Sequence, residues 1–252
     1  MGKLFSRLTL KSFIGNGDWA NRLSRRTCGP AIWLGLMFMG ANAALLGVPS
    51  AHASTALYDV QFNPSSLYQQ TGAAIIGQAG DYWNRLATAS GTSTLTNAAG
   101  AANGVSLTWS ASGILSAGSA NPSFGNGDAY LMDSYIYSSS GSQNMTFSNL
   151  TANAPFTLYI YAQGDSAAGG RKLSVTFNGS TSTSSAAVAG ATAFVSGQNY
   201  LTISGTTTAS GTLPFSYTYA VGEADINGLQ LSVANIAPAI ADQPAGVSGE
   251  PS

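Results

Sequence analysis

The sequence predicts an all-β fold, an antiparallel two-sheet β-sandwich or jelly roll, on three observations. Short segments in which apolar and polar residues alternate recur along most of the chain; Gly, Asn, Ser or Pro separates them; and no stretch carries the spacing of a long amphipathic helix. Alternation with a period of two leaves one apolar face and one Ser/Thr-rich face, as in a half-buried antiparallel strand. Roughly ten such strands at this spacing indicate two packed sheets.

Taken in order, Tyr58, Val60 and Phe62 alternate first, followed by Val105, Leu107 and Trp109, and then by Met145 and Phe147. Phe156, Leu158 and Ile160 come next, then Leu173, Val175 and Phe177, then Leu201 and Ile203. Phe215, Tyr217 and Tyr219 precede the closing set, Leu229, Leu231 and Val233. Within residues 129–137 the same phase places Tyr130, Met132 and Ile136 in the core and sends Asp133, Tyr135 and Tyr137 outward. Within residues 156–163 it exposes Tyr159, Tyr161 and Gln163. Residues 90–103 read as a long surface loop, and 180–190 as a similar loop or a weak edge strand.

Two flanking segments stand apart from this pattern. Residues 1–26 carry Lys3, Arg7, Lys11, Arg22, Arg25 and Arg26 against one acid, Asp18; an apolar run from Ala31 to Val48 follows, and Ala51-His52-Ala53 ends it. A basic start, an apolar stretch and an Ala-x-Ala site read as a secretory signal peptide over residues 1–53. The rival reading is a retained signal anchor, because the run approaches the ~18 residues that span a bilayer. Ser24-Arg25-Arg26 raises twin-arginine export as an alternative route, although Cys28-Gly29-Pro30 replaces the apolar residues such signals carry. After Asn235 the alternation stops, and residues 236–252, with Pro238, Pro244 and Pro251, read as a disordered tail or linker. The expected domain therefore spans 54–235, secreted or at the cell surface, with the periplasm as an alternative.

Cleavage after Ala53 has a chemical consequence. His52 and Cys28 are the chain's only histidine and cysteine, so the remainder has no imidazole relay, no thiol nucleophile, no disulfide and few routes to zinc. It keeps three basic residues, Arg85, Arg171 and Lys172, against nine acidic ones. So few cations cannot neutralise a phosphate backbone or grip an anionic membrane, which excludes nucleic-acid binding and leaves no membrane partner for a cleaved chain.

The order of Val60-Gln61-Phe62-Asn63, the run Gly72 to Asn84 (GAAIIGQAGDYWN), the run Leu150 to Tyr161 (LTANAPFTLYIY) and Ala224 to Leu231 (ADINGLQL) resembles secreted bacterial β-sandwich proteins of the galactose-binding-domain-like group. Many of these carry an exosortase sorting tail. This chain departs from them there: after Asn235 it has no apolar helix and no basic terminus, and Glu250-Pro251 is not a sorting signal. The resemblance implies a jelly roll, carbohydrate binding and, in some members, a structural calcium.

Three groups of residues are candidates for chemistry. On the Gly80-Asp81-Tyr82-Trp83-Asn84-Arg85 segment, Asp81, Tyr82, Trp83 and Asn84 suit a sugar, whose ring stacks on the indole while amide and carboxylate bond its hydroxyls. The alternative is that Trp83 plugs the end of the sandwich and Asp81 caps a turn. If the strands at 129–137 and 156–163 are neighbours, Asp133, Tyr135, Tyr137, Tyr159, Tyr161 and Gln163 share an outward face suited to a glycan or a cell-surface protein. A tyrosine ladder under a covering loop is the other reading. Asp59, Glu223 and Asp225 are oxygen donors that the ends of a sandwich could bring together around Ca²⁺, with Asp81 and the Asn126-Gly127-Asp128 turn as further donors.

Catalytic patterns are weak. Asp128 and Asp133 are the least unsuitable carboxylate pair, Arg85 or Arg171 with a tyrosine could serve a lyase, and Lys172 is the one lysine for a serine nucleophile once the leader is gone. Asn144, Asn149 and Asn178 begin glycosylation sequons of the kind Ser/Thr-rich chains form by chance. The expectation is an exported, non-catalytic sandwich that binds a glycan or a matrix partner. A structural surface-layer or biofilm matrix protein and a histidine-free polysaccharide-degrading enzyme are the alternatives.

Overall fold

A computed structural model describes residues 54–116, 128–164, 171–185 and 193–235. The readings made for residues 1–53 and 236–252 and for Asn126 lie outside these, as do the side chain of Asp128 and part of 180–190. The strands in chain order are β1 (Ser54–Phe62), β2 (Trp83–Leu86), β3 (Gly91–Thr96), β4 (Ala102–Trp109) and β5 (Gly113–Ser116). A single turn of helix, α1 (Asp128–Leu131), precedes β6 (Ser134–Ser138), β7 (Gln143–Ser148), β8 (Pro155–Tyr161), β9 (Lys172–Phe177) and β10 (Ser180–Thr183). β11 (Tyr200–Thr206), β12 (Leu213–Val221), β13 (Ala224–Ile226) and β14 (Gly228–Asn235) complete the described chain. Among the described residues no helix is long and apolar enough to cross a membrane.

The protein is an all-β sandwich. One main sheet has the order β11-β8-β14-β1-β2 and the other β10-β9-β12-β7-β4-β3. Among the described residues every strand pair is antiparallel except β1 and β2, which run parallel with Asp59 opposite Trp83. A third, three-stranded sheet, β13-β6-β5, adds to the expected two.

The alternating residues do what their period dictates. Tyr58, Val60 and Phe62 of β1 and Leu229, Leu231 and Val233 of β14 enter one apolar core with Leu107, Met145 and Phe147 from the opposite sheet. Aromatic contacts cross the layers: Phe62 meets Trp109 at 6.2 Å between ring centroids, and Phe156 meets Phe177 edge-on at 5.4 Å. Aromatic pairs of this kind add about 1 kcal/mol beyond the area they bury.

Four expectations need correction. Residues 90–103 are not a loop, because 91–96 form β3 and pair with β4. Their Ser and Thr side chains line an exposed edge, where Thr92 Oγ1 bonds Thr108 Oγ1 at 2.9 Å. Residues 128–131 are helical, so strand phase does not apply there and Tyr130 is exposed rather than in the core. Tyr219 is also exposed, beside a β-bulge where β12 loses register with β9. The fourth concerns strand neighbours: β6 pairs with β5 and β13 while β8 pairs with β11 and β14, so the two tyrosine segments do not adjoin. The edge strand within 180–190 does form, as β10. Asn178 and Gly179, both at positive φ, make the two-residue turn that folds it back on β9.

Candidate functional site: a cleft over a buried polar row

A parallel pair cannot be joined by a tight turn, so the connection from β1 to β2 must travel back along the sheet. It does so over the outer face of the five-stranded sheet. Trp83 and Tyr161 on that face pack with Leu131 and Met132, flanked by Ile75 and Phe194, as a second apolar cluster outside the sandwich. Trp83 is 1% exposed, and its Nε1–H donates to Gly72 O at 2.7 Å. The indole therefore fastens the connection to the sheet and offers no open face to a sugar.

A row of buried polar side chains runs through the same layer. Gln230 Nε2 donates to Asp59 Oδ1 at 2.9 Å and to Ile76 O at 3.0 Å. Its Oε1 accepts from Ile76 N at 3.2 Å and from the Tyr161 hydroxyl, which itself accepts from Ile75 N. Further along, Gln61 Nε2 holds the carbonyls of Tyr68 and Tyr130 at 3.0 and 2.7 Å, and its Oε1 accepts from Gln70 N. Asp59 has no exposed surface, and among the described residues its Oδ2 has no hydrogen-bond partner. Burial pushes its carboxyl from 3.8 up to about 7; the Gln230 bond opposes the rise and the nearby Asp81 charge adds to it.

Beside this row lies an open cleft of about 330 Å³, walled by residues 55–57 of β1, by Gly77, Gln78 and Asp81, and by the turn at 97–99. Asp81 Oδ2 accepts from Gln78 N at 2.7 Å. Gly77 makes that placement possible, since its φ is +101° and a Cβ there would overlap Asp81 Oδ2. Tyr82 N–H donates to Ala98 O at 2.9 Å in the cleft wall, while the Tyr82 residue is 46% exposed. Of the four residues expected to form a loop site, Asp81 lines the cleft, and Tyr82, next to it in the chain, is exposed outside that lining. Trp83 and Asn84 belong to the interior. Asn84 is buried, with Nδ2 donating to Asp59 O and Thr96 O and Oδ1 accepting from Thr96 N, which ties β1, β2 and β3 together.

The expected outward tyrosine face is not assembled. Tyr161 and Gln163 are fully buried, and Tyr135 and Asp133 are 2% exposed. The alternation correctly puts Tyr159 and Tyr161 on the outer side of β8, but the covering connection and Phe194 then close over Tyr161. Tyr159 is half-buried beside Tyr200 at 6.3 Å, and Tyr137 packs edge-on against Tyr135 at 6.5 Å. Gln163 turns inward where its N–H donates to Asn227 Oδ1, and its own amide atoms have no hydrogen-bond partner. Ser116 Oγ donates to Asp133 Oδ2 at 3.4 Å.

The proposed calcium ligands also separate. Asp59 lies with Gln230, whereas Glu223 and Asp225 flank a guanidinium: Arg171 Nη2 is 3.1 Å from Glu223 Oε2 and Nη1 is 3.0 Å from Asp225 Oδ2. Arg171 Nη1 also donates to the Tyr135 hydroxyl and the guanidinium sits 5.5 Å from that ring's centroid. The Arg171 guanidinium already occupies the position between these two carboxylates, and Asp59 is bonded elsewhere, so they do not fit a Ca²⁺ site with Asp59. Among the described residues no group of three or more His, Cys, Asp or Glu side chains is placed to hold a metal ion. Burial works against the Arg171 charge, but the Tyr135 bond and Asp225 outweigh it and raise its pKa; burial and Asp225 together raise that of Tyr217.

No family model and no curated protein matches the chain. Among solved structures, the chain is similar to the CBM35 from Cellvibrio japonicus Abf62, with 20% identity and a TM-score of 0.28 over 39% of this chain and 73% of the other. It is similar to the C-terminal CBM6 of LamC, a marine laminarinase from Zobellia galactanivorans, with 16% identity and a TM-score of 0.24 over 39% and 79%. A third, an exo-β-1,3-galactanase from Phanerochaete chrysosporium, has 14% identity and a TM-score of 0.28; the match covers 47% of this chain and 25% of the galactanase.

Proposed function

We propose that the protein is an exported, non-catalytic β-sandwich that binds carbohydrate in the cleft beside Asp81. The observation that carries this reading is the lining itself. A carboxylate and the amides of Gln78 and Asn97 stand around apolar residues, Ala56, Leu57 and Ala98, with no Lys or Arg among the described residues of the wall. Sugar hydroxyls both donate and accept, and an acid with neighbouring amides meets both needs, while the C–H face of a pyranose suits a small apolar floor. Tyr82 follows Asp81 directly in the chain and is 46% exposed, so its ring would supply an aromatic contact beside that acid. The absence of cations favours a neutral glycan. A binding role is favoured over hydrolysis because glycoside cleavage uses two carboxyl groups flanking the bond, and Asp81 is the one acid in the described lining.

The test is a glycan array followed by calorimetry with wild type, Asp81→Asn and Tyr82→Ala. Each substitution is expected to weaken binding at least about tenfold, the scale of one lost charge-assisted bond or stacking contact. Affinity indifferent to both, or no glycan bound at all, overturns the reading.

A structural matrix role is favoured by a separate observation. The edge strands of the six-stranded sheet, β3 (GTSTLT) and β10 (STST), carry no charge and no proline. Edges are ordinarily protected against pairing by such residues. Concentration-dependent assembly in sedimentation velocity, abolished by a lysine at Thr181, supports that role; a strictly monomeric protein at all concentrations argues against it.

A further inference from the structure

We propose that Asp59 is a proton-controlled latch for the segment that walls the cleft, holding it closed when the carboxyl is neutral and releasing it when the carboxyl ionises. The proposal rests on the cleft being the binding site only for its functional consequence; the latch is measurable without ligand.

The geometry has three parts. First, Asp59 is completely buried, with one oxygen bonded to a single neutral donor and the other without a hydrogen-bond partner among the described residues. Second, the groups facing it supply no compensating charge. β14 contributes Gln230, and β2 contributes Asn84, which bonds the Asp59 carbonyl rather than its carboxyl. The segment before β2 contributes Asp81, a like charge. Arg85, on β2, directs its guanidinium to the carbonyls of Asn63 and Pro64. Tyr161, from β8, reaches Asp59 through Gln230. Third, the hydrogen bonds that pin residues 75 and 76 converge on the same amide: Ile76 N and O both bond Gln230, and Ile75 N bonds the Tyr161 hydroxyl that donates to Gln230. Gly77 and Gln78 of the cleft wall follow directly in the chain.

A neutral Asp59 leaves this layer uncharged at its centre. An ionised one places an anion beside a second carboxylate, in a position closed to bulk solvent. One amide donor does not replace the lost hydration, so relief comes from lifting residues 75–78 and admitting solvent to Oδ2. Burial that holds the carboxyl near pH 7 puts this change in the neutral range.

The experiment is hydrogen exchange on the ligand-free protein from about pH 5.5 to 8.5, expressed as protection relative to intrinsic rates, for wild type and Asp59→Asn. Protection at the Ile75 and Ile76 amides is expected to fall about tenfold across neutral pH in wild type, to stay level in Asp59→Asn, and to stay level for ladder amides of β8 and β14 in both. Level protection in wild type, or an equal fall in the variant, overturns the latch. The side-chain carbon resonance of Asp59 in wild type provides a second reading that needs no variant: a midpoint near neutral supports the latch, and one in the ordinary carboxylate range overturns it. Glycan affinity is then measured across the same range. Affinity that tracks protection supports the coupling, affinity independent of pH overturns it, and no glycan binding with intact protection changes overturns the cleft reading while the latch stands.

Discussion

Replacing Trp83 separates a sugar-binding indole from a structural one. The side chain is 1% exposed, packs with Leu131, Met132 and Tyr161, and donates its indole N–H to Gly72 O. Truncating a buried Trp to Ala costs about 3–5 kcal/mol through lost transfer energy and the cavity left behind. Freeing a buried carbonyl adds about 1–3 kcal/mol. The covering segment is able to settle into part of the void and let water reach Gly72 O, so the lower ends apply and Trp83→Ala is expected to cost about 4 kcal/mol. Trp83→Phe keeps most of the ring and loses the hydrogen bond, for about 1–2 kcal/mol. At about 2–4 °C per kcal/mol for a domain of this size, Trp83→Ala lowers Tm by about 10 °C. Urea denaturation followed by far-ultraviolet circular dichroism gives both values, with Tyr82→Ala as a comparison expected within about 0.5 kcal/mol of wild type. An unchanged denaturation midpoint in Trp83→Ala, together with loss of glycan binding, would refute the reasoning and return the indole to the ligand.

Two further predictions concern the interior. Asn84→Ala removes three hydrogen bonds between β1, β2 and β3 and leaves the Thr96 amide and carbonyl without that partner, so a loss of about 2–3 kcal/mol in the same urea assay is expected; a loss below about 0.5 kcal/mol would show that water replaces the side chain at no cost. The Asp59 carboxyl sits at about 7 when folded against 3.8 ordinarily, so the folded state holds the extra proton between those values; its relative stability is fully present below about pH 4 and is lost as the pH rises through about 7. The full difference is on the order of 4 kcal/mol. The Tm advantage of Asp59→Asn over wild type should therefore grow from pH 5 to pH 8, and an advantage that is constant with pH contradicts the assignment.

Period-two alternation was enough to read the sandwich, because inner-face residues such as Val60, Leu107, Phe147 and Leu231 answer only to the core they share. It was not enough to read the outer face. Tyr161 and Trp83 do point away from the sandwich, but alternation reports the side of a sheet and not what lies on it. The cover comes from β1 and β2 pairing in parallel, a long-range choice invisible in the local pattern. The clue was present in Gln61 and Gln230: long amides in strands where a solvent face would have been Ser or Thr, and whose bonds are made to covering backbone. A Gly-led polar segment with an aromatic residue marks a turn, and Asp81 does line the cleft, but the segment runs straight into β2, which takes Trp83 and Asn84 into the interior. The sequence groups Asp59 with Glu223 and Asp225 because its distance from them along the chain is similar to its distance from Gln230, and only strand register distinguishes the two partners.

The pairing of β1 with β14 also sets an order of events. Ser54 stands opposite Asn235, and β1 is held between β14 on one side and β2 on the other. The first strand therefore waits, unpaired on one side, until the last has been made. Contacts of such long sequence separation favour slow closure. The same adjacency makes the sandwich portable: joining the ends of β1 and β14 through short linkers would let it be inserted into a surface loop of another protein, or be reopened elsewhere, with its sheet order intact.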